Sequence, residues 1–136
     1  MLSIGLMSGT SMDGIDAALL ETDGTAQQIS EIGHLSVPYP AHFKILLKAA
    51  EWAIRQTGGE LALANAQYEQ ALQEYALDEL HFSRQDFTAK RNQIVAMLYG
   101  EDAAQRLLTL DDIIWHSTLL HAQAVKSLLE KVNYAA

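Results

Sequence analysis

Apolar and small or polar residues alternate twice near the N-terminus. Leu2, Ile4 and Leu6 alternate with Ser3 and Gly5, and Ile15, Ala17 and Leu19 follow with the same period of two, which predicts strand, turn, strand. Asp23-Gly24 suits a second tight turn. The stretch holding Ile29, Ile32, Leu35 and Val37 then reads as a third strand that Pro38 and Pro40 stop. From Ala41 the period becomes helical. Phe43, Leu46, Leu47, Ala50 and Ile54 share one face, and Gly58-Gly59 ends the run. Leu61, Ala64, Tyr68, Leu72 and Tyr75 predict a second helix. Ser83 with Asp86, flanked by Phe82 and Phe87, opens a third that should end at Gly100. Thr109 with Asp112, flanked by Leu108 and Ile113, opens a fourth along Ile113, Ser117, Leu120, Ala124 and Leu128.

The expected fold is therefore α/β, a three-stranded antiparallel opening followed by about four helices. A hairpin opening of this kind belongs to a larger sheet whose later strands follow the helices, so the sheet is expected to be incomplete. At 136 residues the chain is expected to form one partial domain, with 1–40 as the strands and 41–136 as the helical part.

Composition narrows the partners. A formal net charge of −8 disfavours nucleic acid and anionic membranes, because a polyanion would be repelled. Without cysteine there is neither a disulfide framework nor a thiolate metal site, which fits a reducing cytoplasm. No apolar run approaches the length of a membrane span, and the uncharged first residues are too short for a signal segment.

The chemistry is concentrated in Ser8 to Asp16, Ser-Gly-Thr-Ser-Met-Asp-Gly-Ile-Asp. Such a turn can expose several backbone N–H groups and hold a cation, which suits phosphate. It is not a P-loop, since Gly-Lys-Ser/Thr is missing and the turn feeds a strand rather than a helix. Nor do Gly5, Gly9 and Gly14 have dinucleotide spacing. Ser-Gly-Thr-Ser-Met also resembles the nucleophile segment of subtilisin-like proteases. There the segment continues into a helix late in the chain, whereas here Asp13 follows and the motif opens the chain. The favoured reading is a nucleotide-phosphate hairpin. Gly9 and Gly14 allow close approach, Thr10 and Ser11 donate to phosphate oxygens, and Asp13 or Asp16 holds Mg²⁺ through water.

Such a hairpin resembles the one that opens sugar kinases, actin and the related heat-shock chaperones, which implies the N-terminal part of an actin-like, ribonuclease H-like ATPase domain. The longer stretch Ile4-Gly5-Leu6-Met7-Ser8-Gly9-Thr10-Ser11-Met12-Asp13-Gly14-Ile15-Asp16-Ala17-Ala18-Leu19 resembles the opening signature of the anhydro-N-acetylmuramic acid kinases of bacterial cell-wall recycling. The resemblance is weaker through Pro38-Tyr39-Pro40 and Leu108 to Leu129, and the segment 58–106 looks longer than the family usually carries. It implies ATP-dependent opening of the anhydro bridge of an amino sugar with water and phosphorylation of the freed primary hydroxyl, giving N-acetylmuramic acid 6-phosphate. Gly9, Thr10, Ser11, Met12, Asp13, Gly14, Ile15 and Asp16 carry over as the ATP-binding turn, with Asp13 on the magnesium side and Met12 and Ile15 expected to pack. Members of the family are more than twice this length. The His-Gly-Gln-Thr-type segment, the water-activating aspartate and the sugar contacts are expected beyond Ala136, so no catalytic residue is assigned here and the chain alone is expected to be inactive.

Blander readings stand beside this one. A Gly/Ser/Thr/Asp turn is often only a turn. Trp52 and Trp115 read as packing residues, and Asp111-Asp112 as the cap of the last helix. The chain could also be a non-enzymatic helical interaction module or the remnant of an interrupted kinase gene. An unfinished sheet edge would then favour a homodimer or pairing with a separately encoded C-terminal half.

Overall fold

The structure, a computed structural model, describes residues 1–8, 13–23 and 29–133. The order is β1 (Leu2–Ser8), β2 (Gly14–Thr22), β3 (Ile29–Pro38), α1 (Ala41–Gln56), α2 (Leu61–Ala66), α3 (Tyr68–Asp78), α4 (Arg84–Tyr99), a short 3₁₀ turn at Glu101–Ala103, and α5 (Leu110–Lys131). No described helix is long and apolar enough to cross a membrane. The chain divides into two compact units. One holds Met1–Pro40 and His116–Ala136, the other Ala41–Trp115.

In the first unit the strands form an antiparallel sheet in the order β1-β2-β3, as the alternation predicted. Alternation on β2 sets its two faces. Ile15, Ala17 and Leu19 are buried, and Asp16 is exposed between them. Ala17 and Leu19 pack with Leu128 of α5, and Leu35 and Val132 complete this small core. Gly33 lets the end of α5 approach β3, because a Cβ there would lie 2.4 Å from Cγ1 of Val132. Lys131 also donates from Nζ to the His34 carbonyl at 2.7 Å. The β2–β3 register shifts between Leu19 and Leu20, whose partners are Gly33 and Glu31, leaving Ile32 as the extra residue. Directly opposed residues share a face, so Ile4 and Leu6 lie on the side of Leu19 and Ala17. They nonetheless stay 39% and 44% exposed on an edge strand of an open sheet. Asp23 is described, but the Gly24 half of the expected second turn lies outside the described residues.

In the second unit α1 buries Phe43, Leu46, Ala49, Ala50 and Ala53, and α3 buries Tyr68, Ala71, Leu72 and Ala76. The two helices pack together, and their alanines keep the opposing surfaces shallow. The fully buried Tyr68 donates its hydroxyl to the Leu46 carbonyl at 2.6 Å. Helix α1 ends in a Schellman motif: Gly59 N–H reaches the Ile54 carbonyl at 2.9 Å and Gly58 N–H that of Arg55 at 3.3 Å, with φ of 65° at Gly58. Among the described residues the expected four helices are five. The stripe from Leu61 to Tyr75 breaks at Gln67, whose φ of −103° and ψ of 12° leave the helical region, so α2 and α3 are separate. Periodicity carried smoothly over this break because the same face is buried on both sides of it.

Both predicted caps are present. Asp86 N–H donates to Ser83 Oγ at 3.0 Å, and α4 ends at Gly100 with φ of 96°. Thr109 N–H donates to Asp112 Oδ2 at 2.8 Å while Asp112 N–H donates to Thr109 Oγ1 at 3.3 Å, a complete capping box. Trp115, expected to pack, is instead 57% exposed, whereas Trp52 is half-buried and tilts against Tyr75 with ring centroids 6.2 Å apart.

Candidate nucleotide-phosphate turn

The turn joins two strands whose register brings Ser8 opposite Ile15. Gly9, Thr10, Ser11 and Met12 lie outside the described residues, so the site is built from its outgoing arm, Asp13 to Asp16. Three ties fasten that arm to the end of β3. The Asp13 carbonyl accepts the Tyr39 N–H at 2.8 Å. Gly14 pairs with Pro38, and a Cβ on Gly14 would lie 2.3 Å from the Val37 carbonyl oxygen and 2.8 Å from Pro38 Cα. Asp16 lies opposite Ser36, whose hydroxyl donates to Asp16 Oδ1 at 2.5 Å.

Each identity follows from its place. Ile15 points into the protein at 1% exposure, so it packs as expected. Asp13 and Asp16 are exposed and line one open cleft of about 260 Å³ together with Gly14, Ser36, Val37 and Pro38. The glycine is fixed by close approach, since any side chain would strike backbone rather than a movable neighbour.

Among the described residues, no three His, Asp or Glu side chains gather closely enough to form a protein-only metal cage. Mg²⁺ does not need one. It keeps several waters and is held by one or two carboxylates together with substrate phosphates, so Asp13 and Asp16 in one cleft fit it.

Sequence reasoning singled out Asp13 and Asp16 but missed Ser36. The alternation of β3 does put Ser36 on the face opposite Leu35 and Val37, yet its partner depends on the β2–β3 register, which includes a shift between Leu19 and Leu20. Displaced titrations are found in the helical unit. Burial pushes the Tyr68 hydroxyl well up, reinforced by Glu69 and Asp112. Burial also raises Asp112, but hydrogen bonds from Tyr99, Arg106 and Thr109 outweigh it and leave that carboxyl low. Asp112 is a helix cap stabilised by its neighbours, as the Thr109 pairing shows.

A family model described as anhydro-N-acetylmuramic acid kinase matches residues 1–97, which takes in the turn, the sheet and α1 to most of α4. The chain belongs to the anhydro-N-acetylmuramic acid kinase family. A family protein of Azorhizobium caulinodans is 57% identical over 51 residues, covering 37% of this chain and 13% of that protein. One of Rhizorhabdus wittichii is 58% identical over 50 residues, with the same coverages of 37% and 13%. A Brucella canis anhydro-N-acetylmuramic acid kinase is 34% identical over 120 residues, covering 74% of this chain and 32% of that protein. The chain thus spans about a third or less of the length of these relatives. The family match reaches well into the 58–106 segment.

Proposed function

We propose that this chain supplies the ATP-phosphate turn of an anhydro-N-acetylmuramic acid kinase acting in the cytoplasm on amino sugar released from peptidoglycan. The reaction would open the anhydro ring with water and place the terminal phosphoryl group of ATP on the freed primary hydroxyl. The observation that carries this reading is the outgoing arm of the turn: in a chain of this family, Gly14 is held against β3 while two aspartates open onto the same cleft.

In this reading the backbone from Gly9 to Gly14 and the hydroxyls of Thr10 and Ser11 bind the phosphates, and Met12 and Ile15 support the turn by packing. Asp13 and Asp16 hold the hydrated magnesium. Mg²⁺, when bound with the nucleotide, neutralises phosphate charge, which together with positioning is most of what phosphoryl transfer asks of a protein. The water-activating carboxylate and the sugar contacts are assigned to the part of the relatives that this chain does not span, so the 136 residues bind nucleotide without turning over.

The test is thermal stability under Mg-ATP titration together with ADP release in the presence of the anhydro sugar. A saturable stabilisation that Asp13→Ala removes supports the reading, because only a ligand bound by the folded state raises the midpoint. No stabilisation by Mg-ATP overturns the nucleotide assignment. Sugar-dependent ADP release by the chain alone overturns the proposed inactivity.

A further inference from the structure

We infer that Ser36 on β3 is a positioning residue for the nucleotide site, fixing the Asp16 carboxylate toward a magnesium-bound water. This rests on the nucleotide reading above. Ser36 and Asp16 face each other directly across β2 and β3, twenty residues apart in sequence, and the hydroxyl donates to Oδ1 at 2.5 Å. That length is typical of a charge-assisted O–H···O⁻ bond.

The pair is exposed, so its contribution to holding the sheet together is small, and its consequence is orientation. An aspartate side chain on a strand has three staggered χ1 wells and a broad terminal torsion. A hydroxyl fixed to the facing strand selects one arrangement. With Oδ1 engaged by Ser36, Oδ2 would be the oxygen to meet a metal-bound water.

Ser36 belongs to a wider wall. Ser36, Val37, Pro38 and Tyr39 meet Asp16, Gly14 and Asp13 in succession, by side chain, by close backbone approach and by a backbone hydrogen bond. Ser36 acts through its side chain on a candidate ligand group, and both residues line the cleft.

The experiment measures Mg-ATP affinity of the 136-residue chain by calorimetry, with metal-free ATP in EDTA as the reference and unliganded thermal midpoints alongside. Ser36→Ala is expected to weaken Mg-ATP binding roughly three- to tenfold, the lower figure following from loss of one χ1 choice among three and the upper from loss of a hydrogen bond to a charged group. Metal-free ATP binding and the unliganded midpoint should scarcely move. Ser36→Thr, which keeps the hydroxyl, should restore affinity. Asp16→Asn should weaken Mg-ATP binding at least as much, and Ser36→Ala added to it should cost nothing further, since the serine acts through the carboxylate. Wild-type binding of Mg-ATP with an unchanged Ser36→Ala affinity overturns this inference and leaves the nucleotide reading standing. Equal weakening of metal-free and magnesium-bound ATP also overturns it, because the serine would then be supporting the turn as a whole. Absence of wild-type binding overturns both.

Discussion

Gly14 and Val37 stand so close that a Cβ on the glycine would lie 2.3 Å from the valine carbonyl oxygen. The neighbour is backbone in a strand paired along its length, so it cannot swing aside. Gly14→Ala must therefore part the ends of β2 and β3 or tilt the turn. The expected cost is about 1–3 kcal/mol, the usual range for overpacking, together with loss of the Mg-ATP stabilisation. Gly5, in the same signature, has open space where a methyl would stand, with no atom within 4 Å of that position. Gly5→Ala should change stability by no more than about 0.5 kcal/mol. Urea denaturation of both variants checks the contrast, and equal costs would show that close approach is not what selects glycine at position 14.

The helical unit depends on a different pair. Glu69 and Arg91 form an ion pair at 2.6 Å with side chains only 23% and 11% exposed. Glu69 Oε1 also accepts the Leu108 N–H at 2.8 Å, and Arg91 donates to the carbonyls of Ala104 at 2.6 Å and of Arg106. One carboxylate thus ties α3 to α4 and to the segment leading into α5. Glu69→Ala leaves a largely buried guanidinium without its counterion and is expected to destabilise by about 2–3 kcal/mol, somewhat below the range for fully buried pairs because both groups keep some solvent. Glu69→Ala with Arg91→Leu should recover part of the loss. Thermal denaturation of the single and double variants measures it.

The strands, the ends of α1 and α4, and the two cap signatures were legible in the sequence because each is a local rule. Alternation needs only neighbours along the chain, and Ser83 with Asp86 or Thr109 with Asp112 needs only one turn of helix. The Glu69–Arg91 pair and the Ser36–Asp16 bond were not legible. Their partners are fixed by register or by helix packing across 22 and 20 residues, and nothing in either local stretch marks the choice. Trp115 failed for a related reason. Its residue type favours burial, but the faces of α5 that are covered belong to Ile113 and to Ala124 and Leu128.

Asp112 makes acid stability a readout of the last cap. Burial raises its carboxyl, and the Tyr99, Arg106 and Thr109 hydrogen bonds overcome that and lower it below the ordinary value. For a depressed carboxyl the stabilisation is fully present above the unfolded-state value of about 3.9 and is lost as pH falls from there through the folded-state value. Wild type should therefore lose stability below about pH 4, and Asp112→Asn, less stable at neutral pH, should show a shallower acid arm. Urea midpoints followed from neutral pH to acid check this. Parallel curves for the two proteins would show that the cap does not couple to protonation.

Leu128 offers the sharpest separation of the two units. It is fully buried on α5 against Ala17 and Leu19, in a core that the partly buried Leu35 and Val132 complete among the described residues. With so few large side chains there, the space left by Leu128→Ala has little to collapse into it, and the expected loss is about 2–4 kcal/mol. The loss should fall on the sheet unit. Amide hydrogen exchange at Ala17 and Leu19 should accelerate by the full amount of the destabilisation, whereas Leu46 and Leu72, buried in the helical unit, should keep their protection. Because β2 carries Asp16 immediately before Ala17, the Mg-ATP stabilisation should shrink in the same variant. Equal acceleration at all four amides would mean that the two units open as one cooperative body, and the nucleotide turn would then draw its stability from the helices as much as from its own sheet.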